Sequence, residues 1–446
     1  MFAGARKLIE RYGRVRLAVV YPVPGKFSGY ETFQVVKTLP AKRVSFQTPV
    51  REGSALEVGL IRTEDTSAHY DGFSGKFRFR VYLRKWPRNR VLVEATGEFP
   101  LNERVSFHID SSKLPVGNRP HEIIYEIEKE STREAKGYEP YHDFDFLVPA
   151  VYDKRAPDDL NVMIVAFDTL RADHLGCYGY KRATSPNVDA FAKKGVLFTQ
   201  AISQCPWTTP AFYSLFTSLY PSAHQNRMIS RESRFFYDQD TFVDALKKEG
   251  YYTVGVTNGA NVSSEFGFGK GFNRYIELTN TILEEGDANS LKWSTINDSS
   301  KIFDEAMEWL EQNAGARFFM FIHTLECHDP YTHTDFLSEN SSGTLIEQRK
   351  AFYDWDIRYA DANFGKLMQQ LSSSGLMSNT IIVFLSDHGE DFYDHYREAD
   401  VLPPNKENIF PQVSIVDHGH SLYEELVHVP LIFFIPNAKP AKATVE

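Results

Sequence analysis

The sequence predicts an α/β domain with a mostly parallel central sheet flanked by helices, preceded by an all-β domain. In the first third of the chain, segments such as 56–62 and 76–85 place apolar side chains at every second position, which is typical of half-buried strands. From residue 159 onward, continuous apolar runs alternate with amphipathic helical segments. That alternation is typical of a parallel sheet whose two faces are covered by helices.

The all-β prediction covers residues 1–155, as a β-sandwich. Turn residues separate its short alternating segments, which are 56–62, 76–85, 91–96, 105–109 and 122–128. The α/β domain is predicted over residues 156–446, because Pro157 and its charged neighbours interrupt both patterns. Its predicted strands are 162–167, 253–256, 318–322, 381–385 and 430–435, and its predicted helices are 186–194, 210–218, 241–249, 301–312 and 347–371.

Composition and charge exclude several classes of protein. The 446 residues are 42% apolar and 24% charged, a globular balance that excludes a largely disordered chain. The net charge is −10 and Lys and Arg form no run, so we expect no nucleic-acid partner. The three cysteines are odd in number and sparse, which argues against a disulfide framework.

The apolar runs are too short for a membrane span. The longest are 161–167, 318–323, 381–385 and 429–436, whereas a spanning helix needs roughly 20 apolar residues. Lys7, Glu10 and Arg11 interrupt the N-terminal segment, so no signal peptide is visible. We therefore expect a cytoplasmic protein without a membrane span.

Two predicted strands end in residues that could bind a metal. Asp168 follows the run 162–167, and Asp387 and His388 follow the run 381–385. Ligands of open α/β sheets lie at the carboxyl ends of the strands, and carboxylates with an imidazole suit a divalent cation. The alternatives are that Asp168 only satisfies loop amides and that Asp387 and His388 form a surface turn.

A hydroxyl group lies at the start of a predicted helix. Thr208 and Thr209 precede Pro210 and an apolar helical segment, so either threonine could be the N-cap. The same position also suits a nucleophile, because the positive end of a helix favours an ionised oxygen. Four histidines near strand ends, His323, His328, His418 and His420, could protonate a leaving group or bind a second metal; each is as easily a structural histidine.

Five segments, in this order, resemble the sulfatase family of the alkaline phosphatase superfamily. The resemblance covers roughly residues 160–436 and implies an alkaline-phosphatase-like fold. Residues 161–224 resemble its first metal strand and nucleophile helix, 323–331 its substrate-side histidine motif, 353–371 its long helix, 381–390 its second metal motif and 418–432 its closing segment.

This resemblance implies a metal-dependent esterase site. Asp168, Asp387 and His388 would bind a divalent metal ion (Ca²⁺, Mn²⁺ or Zn²⁺). Thr208 falls at the nucleophile position, because Thr-Thr-Pro-Ala matches the family's nucleophile-x-Pro-Ser/Ala pattern, and it would also contact the metal. The alkoxide of Thr208 would attack sulfur or phosphorus.

Further residues are assigned to the substrate. His328 would contact the transferred group or the leaving oxygen, and His418 would do the same or hold a second metal. His420 and Asn258 are candidates for substrate binding. Arg171 could steer anions, or it could brace its loop through Asp173.

The sequence departs from the family pattern at several positions. The family's formylglycine arises from a Cys or Ser, but here that position is Thr208, and the accompanying Arg position is Phe212, so the modification cannot occur. The family's paired acids are Asp168 and Thr169 here, which removes one ligand. The chain stops soon after residue 436, where family members continue into a smaller subdomain, so we expect a truncated chain or a less enclosed site. Residues 1–155 weakly resemble jelly-roll modules, which bind carbohydrate or only pack beside the catalytic domain.

Three functions remain open at this point. The favoured one is a metal-dependent hydrolase of sulfate or phosphate esters, acting on a small molecule or a glycan. The second is a transferase that moves a phosphoryl-linked group to a glycan or lipid. The third is a non-catalytic glycan-binding protein with a sulfatase-like domain. The sequence does not distinguish sulfate from phosphate, because both are tetrahedral oxyanions.

Overall fold

A computed structural model describes most of the chain. The described residues are 15–20, 30–37, 43–48, 54–62, 77–84, 90–97, 104–110, 121–129, 144–156, 158–226, 239–258, 260–282, 292–295, 298–331, 344–395 and 418–443. The predicted strands 56–62, 76–85, 91–96, 105–109 and 122–128 all coincide with observed strands.

The strands follow one another in chain order. They are β1 (Val15–Val20), β2 (Tyr30–Lys37), β3 (Arg43–Thr48), β4 (Ser54–Arg62), β5 (Phe77–Leu83), β6 (Arg90–Gly97), β7 (Arg104–Ile109), β8 (His121–Lys129), β9 (Phe144–Leu147), β10 (Ala150–Asp153), β11 (Asn161–Phe167), β12 (Val196–Ile202), β13 (Tyr252–Thr257), β14 (Arg274–Glu277), β15 (Thr279–Ile282), β16 (Lys292–Thr295), β17 (Phe318–Thr324), β18 (Thr380–Leu385), β19 (His428–Phe434) and β20 (Ala441–Ala443).

All helices in the described part of the chain follow β11. They are α1 (Pro186–Ala192), α2 (Thr208–Thr217), α3 (Pro221–His224), α4 (Phe242–Lys248), α5 (Ser299–Gln312), α6 (Leu345–Ser373) and α7 (Glu424–Val427). Short 3₁₀ turns lie at Ala172–His174, Gly176–Tyr178, Ala260–Val262, Ser264–Phe266 and Leu376–Asn379. Among the described residues, no helix is long and apolar enough to cross a membrane.

The centre of the large sheet is parallel, as predicted. Its order there is β14-β13-β17-β11-β18, with every neighbouring pair parallel, followed by antiparallel β19. Ala166 of β11 lies opposite His323 of β17 and Leu385 of β18. The carboxyl ends of these three strands are therefore level, and the residues that follow them meet at one edge of the sheet.

Strand β11 shows why apolar runs predict the centre of this sheet. Met163, Val165 and Phe167 belong to an apolar cluster that includes residues of α5 and α6. Ile164 and Ala166 face the opposite cluster, which includes residues of α2. Because a strand alternates its side chains between two faces, a sheet that is covered on both sides needs an apolar residue at every position.

The long helix α6 holds the loop that follows β11. A capping box between Thr344 and Glu347 starts this helix, two residues before the predicted start. The buried Asp354 carboxylate accepts hydrogen bonds from Tyr180 and Arg182 and pairs with His174 Nδ1 at 2.7 Å. Two turns further along α6, the carboxylate of Asp361 accepts hydrogen bonds from the first backbone amides of α1.

The strands before residue 154 pair antiparallel and surround an apolar cluster of their own. A four-stranded sheet, β3-β8-β5-β6, contributes Phe79 and Tyr125 to this cluster, and the large sheet contributes Phe146. Strand β2 pairs antiparallel with β14, so the large sheet continues from these strands into the α/β part. The division at residue 155 and the jelly-roll assignment stay predictions.

The two halves also share buried contacts. Tyr252 of β13 donates a hydrogen bond of 2.7 Å to Glu57 Oε2 of β4, and both residues are buried. The ring of Tyr252 contacts that of Tyr152 edge-on, with 5.2 Å between centroids. Ala55 and Tyr152 belong to the same apolar cluster as the helices of the α/β part.

Candidate active site

Three residues that the sequence places at strand ends come together in the fold. Asp168 directly follows β11, and Asp387 and His388 follow β18 after one serine. All three side chains are buried, and one ligand atom from each lies within 4.8 Å of the other two. The level ends of the parallel strands β11 and β18 produce this arrangement.

Backbone hydrogen bonds fix the positions of the two carboxylates. The amide of Asp168 donates to the Thr324 carbonyl at 2.9 Å, which ties the end of β11 to β17. The amide of Thr169 donates to Asp387 Oδ1 at 3.3 Å. Thr169 has a positive φ of 56°, a conformation that costs a β-branched residue about 1–3 kcal/mol. The backbone is therefore strained at Thr169, the residue whose amide binds Asp387.

The donor atoms fit a divalent cation. Asp168 Oδ1 and Asp387 Oδ2 are buried and have no hydrogen-bond partner among the residues that the structure describes. His388 Nε2 lies 3.6 Å from Asp168 Oδ1 and 3.3 Å from Asp387 Oδ2. His388 Nδ1 donates to the Gly389 carbonyl at 2.8 Å, so Nε2 carries the lone pair. Two carboxylate oxygens and an imidazole nitrogen suit Ca²⁺, Mn²⁺ or Zn²⁺.

Burial and the interactions between neighbouring ionisable groups shift the pKa values of this cluster. Burial, together with the charge of Asp168, raises the pKa of Asp387 well above its usual range. Burial alone would also raise the pKa of Asp168, but the hydrogen bond from His323 and the charge of His388 outweigh it and lower that pKa. Burial and neighbouring His418 lower the pKa of His388 to about 3. His388 is therefore neutral near pH 7, as a metal ligand must be.

The Thr208 hydroxyl points into the same cluster. Its Oγ1 lies 3.4 Å from Asp168 Oδ2 and 3.2 Å from His388 Nε2, and the side chain is buried. The expectation that a threonine caps this helix is wrong: Trp207, in an extended conformation, is the N-cap and makes no side-chain capping bond. Thr209 instead donates to the Asn261 carbonyl at 3.0 Å. Thr208 is thus the first residue of α2, and its hydroxyl is directed at the carboxylate and the imidazole.

Two further predicted histidines lie beside the cluster. The ring of His418 has its centroid 4.5 Å from that of His388 and 5.1 Å from that of His328. His418 Nδ1 is 3.1 Å from Glu390 Oε1, whose side chain is buried. His328 Nδ1 is hydrogen-bonded to the Asp329 carbonyl. The structure therefore brings three imidazoles to one side of the paired carboxylates.

The three predicted substrate-binding residues contact groups of the protein. Arg171 is buried, and its guanidinium donates to Asp173 and Asp394 at 2.7 Å each, which supports the bracing alternative. Asn258 Oδ1 accepts from the Leu325 amide at 3.0 Å. The ring of His420 pairs with Asp391 Oδ2 at 3.0 Å. Roles of these residues in substrate binding stay predictions.

The sequence offers His323 only as one of four histidines that could protonate a leaving group or bind a second metal. Its Nε2 is 2.9 Å from Asp168 Oδ2, and its Nδ1 is 3.0 Å from Thr257 Oγ1. The sequence signal was a single histidine at the end of an apolar run. That signal gains meaning only when β17 is known to lie beside β11.

Comparison with known proteins identifies the family. The family model described as Sulfatase matches residues 160–446, which is more than half of the chain. This chain therefore belongs to the sulfatase family. The resemblance drawn from the five motifs is confirmed at this level.

Individual relatives are distant and only partly covered. The chain is 25% identical to the ulvan-active sulfatase of Formosa agariphila over 273 residues, which cover 54% of this chain and 53% of that protein. It is 24% identical to the N-acetylgalactosamine-6-O-sulfatase of Bacteroides thetaiotaomicron, covering 63% of this chain and 69% of the relative. A solved structure, the phosphonate monoester hydrolase of Agrobacterium radiobacter, superposes with a TM-score of 0.49 at 19% identity, covering 64% of this chain and 70% of that one. The chain spans about half to two thirds of the length of these curated relatives.

Proposed function

We propose that this protein is a metal-dependent hydrolase of sulfate or phosphate esters in which Thr208 is the nucleophile. One observation carries the proposal: the Thr208 hydroxyl is 3.4 Å from Asp168 Oδ2 and 3.2 Å from His388 Nε2, inside the cluster that fits a cation. A hydroxyl that only capped its helix would instead bond to the amides of the first turn. Family membership supports ester hydrolysis as the reaction class.

The residues of the chain divide the chemistry between them. When bound by Asp168, Asp387 and His388, a divalent cation supplies positive charge to a non-bridging oxygen of the ester. Thr208 Oγ1 gives its proton to water and attacks sulfur or phosphorus as an alkoxide, which the positive end of α2 favours. The bond from sulfur or phosphorus to the leaving oxygen breaks, and His328 or His418 protonates the alcohol that departs.

The second half of the reaction needs water. The aldehyde hydrate of the family's formylglycine can expel sulfate from its hemiacetal ester. A threonine ester cannot break down in this way. Water therefore attacks the covalent intermediate, the bond to Thr208 Oγ1 breaks, and sulfate or phosphate is released. In this proposal His328 or His418 takes the proton of that water.

Turnover of two model esters tests the proposal. An aryl sulfate and a bis-aryl phosphodiester are offered to the full chain with Ca²⁺, Mn²⁺ or Zn²⁺. We expect Thr208→Ala to lower kcat by at least about 10³-fold and Thr208→Ser to keep part of the activity. Thr209→Val is the matched control, because the Thr209 hydroxyl bonds to a carbonyl outside the cluster.

Two outcomes would overturn this function. One is turnover that Thr208→Ala leaves unchanged, and the other is no turnover of either ester with any of the three metals. Adding an acceptor alcohol separates hydrolysis from transfer, because a transferase forms a new ester with it. A hydrolase is expected to release the phenol together with sulfate from the aryl sulfate, or together with the aryl phosphate monoester from the phosphodiester, and to form no new ester.

The substrate class and the accessory domain belong to the same proposal. We infer a small-molecule or glycan ester as substrate, supported by the names of relatives that act on ulvan and on N-acetylgalactosamine-6-O-sulfate.

Residues 1–155 are proposed to form a jelly-roll-like domain that packs beside the catalytic domain. On the outward face of β5, Arg80 pairs with Glu94 and Glu128, which supports a packing role over a carbohydrate platform on that face. The cytoplasmic location stays a prediction.

A further inference from the structure

We infer that His323 is a positioning residue that orients Asp168 toward the divalent cation. This inference rests on the proposed function, because it assigns His323 a role in the same site. In the proposed mechanism His323 does not contact the ester. It acts on the metal site through one oxygen of Asp168.

Both ring nitrogens of His323 have buried partners. Nε2 lies 2.9 Å from Asp168 Oδ2, and Nδ1 lies 3.0 Å from Thr257 Oγ1. All three residues are fully buried. Because a carboxylate can only accept, the proton between His323 and Asp168 lies on Nε2. Register places Thr257 of β13 directly opposite His323 of β17, so the sheet itself sets this contact.

Aromatic packing prevents the imidazole from turning away. The ring of Phe321 is nearly parallel to that of His323, with an interplanar angle of 18°. The ring of Phe212, from helix α2, meets it edge-on at 5.1 Å between centroids. The same helix begins with Thr208. The Nε2–H vector is therefore held in place by the sheet on one side and by the nucleophile helix on the other.

The hydrogen bond from His323 to one oxygen of Asp168 sets the direction in which the other oxygen of that carboxylate points. His323 binds Oδ2, and Oδ1 then faces His388 Nε2 at 3.6 Å. Oδ1 is the buried oxygen that has no hydrogen-bond partner among the described residues. A carboxylate fixed in this way presents a single oxygen to a cation without first losing rotational freedom. Partners that orient metal ligands typically change metal affinity by about 10–100-fold when they are removed.

A buried histidine can also be purely structural, and two amide variants separate the roles. In His323→Gln the side-chain amide reaches about as far as Nε2, so it can still donate to Asp168. In His323→Asn the amide reaches only about as far as Nδ1, so it contacts Thr257 and leaves Asp168 without its donor. Both variants bury one amide group in the same place, so both should lose similar stability.

The test is calorimetric titration of the chelator-treated full chain with Mn²⁺ alone, alongside thermal unfolding of each variant without metal. We expect His323→Asn to raise the Kd for Mn²⁺ by about 10–100-fold and His323→Gln to raise it less than tenfold. Thr257→Val, which removes the Nδ1 contact and leaves the hydrogen bond from His323 to Asp168, is the control and should also stay below tenfold. The Asn and Gln variants should melt at similar temperatures.

Equal Kd values for His323→Asn and His323→Gln would overturn the inference while the metal site itself stands. A wild-type chain that binds no more Mn²⁺ than Asp168→Asn would instead contradict the proposed function. If His323→Asn does not fold, His323→Met takes its place, because methionine has a similar reach and cannot donate. Binding as tight in His323→Met as in His323→Gln would then also overturn the inference.

Discussion

Asp168 and Asp387 are two buried carboxylates that face one cation position. The pKa of Asp387 is raised by burial and by the charge of Asp168. A raised carboxyl pKa contributes stability below the unfolded value near 3.9, and that contribution is lost as pH rises through the folded pKa. As pH rises above about 4, the metal-free protein therefore loses stability at this pair, and a bound cation offsets that loss.

We predict that Asp387→Asn stabilises the metal-free protein and abolishes its response to metal. Removing one of the two charges removes the repulsion, so the Tm in chelator at pH 7 should rise by roughly 1–4 °C. The gain should shrink as pH falls toward 4, where the wild-type carboxyl is protonated. Added Mn²⁺ should raise the Tm of the wild type and leave that of the variant unchanged.

Differential scanning calorimetry with and without chelator checks both parts of this prediction. Asp173→Asn is a control, because Asp173 pairs with Arg171 and not with the cluster. A variant that melts at the wild-type temperature in chelator would mean that the two carboxylates do not repel each other.

At the level of single residues, the sequence predicts ligand identity better than orientation. Asp168, Asp387 and His388 can be found because each directly follows an apolar run. Helix rules alone predict that a threonine at this position caps the helix, and only the resemblance to the sulfatase family predicted that the Thr208 hydroxyl would contact the cluster; here Trp207 is the N-cap. The role of His323 requires the pairing of β17 with β11, which no local pattern contains.

Helix α6 acts as the support against which the loop after β11 is held. Asp354 of this helix is buried and receives hydrogen bonds from Tyr180 and Arg182 as well as the contact with His174. These three residues lie in the loop that starts with Asp168. The position of Asp168, a proposed metal ligand, thus depends on a carboxylate that belongs to a different element.

We predict that Asp354→Ala destabilises the protein by about 1–3 kcal/mol. The change leaves the buried His174 without its partner, which costs about this much, whereas the half-exposed Arg182 is solvated by water. Urea unfolding followed by circular dichroism measures the difference. Asp304→Ala on the exposed face of α5 is the control and should stay within about 0.5 kcal/mol; a similar loss in both variants would contradict the supporting role of α6.

The sequence predicts well the strands and helices that are buried on both faces. The predicted runs 162–167 and 318–322 match β11 and β17 to within a residue or two, because every position along them is apolar. The helix predicted at 347–371 is longer at both ends, Leu345–Ser373, since a capping box and polar C-terminal residues extend it beyond its apolar stripe.

For the whole molecule, the sequence predicts an alternating β-rich part and an α/β part but does not show how they join. The pairing of β2 with β14 makes one large sheet out of strands from both parts. This pairing joins residues that are far apart in the chain, and backbone hydrogen bonds between strands leave no signature in composition. The buried contact between Tyr252 and Glu57 is equally invisible in the sequence.

We predict that the two parts unfold as one unit and that Tyr252→Phe lowers the stability of that unit. The substitution deletes the hydroxyl that donates to Glu57 Oε2 at 2.7 Å and removes a buried hydrogen bond from a carboxylate, at a cost of about 1–3 kcal/mol. Tyr82→Phe is the matched control: its hydroxyl donates to Glu126 Oε2 at 2.8 Å on the outward face of β5, where water replaces the lost partner. Thermal unfolding should show a single transition that moves down in Tyr252→Phe and hardly moves in Tyr82→Phe. Two separate transitions, of which only one responds to Tyr252→Phe, would show that the shared core does not couple the two parts.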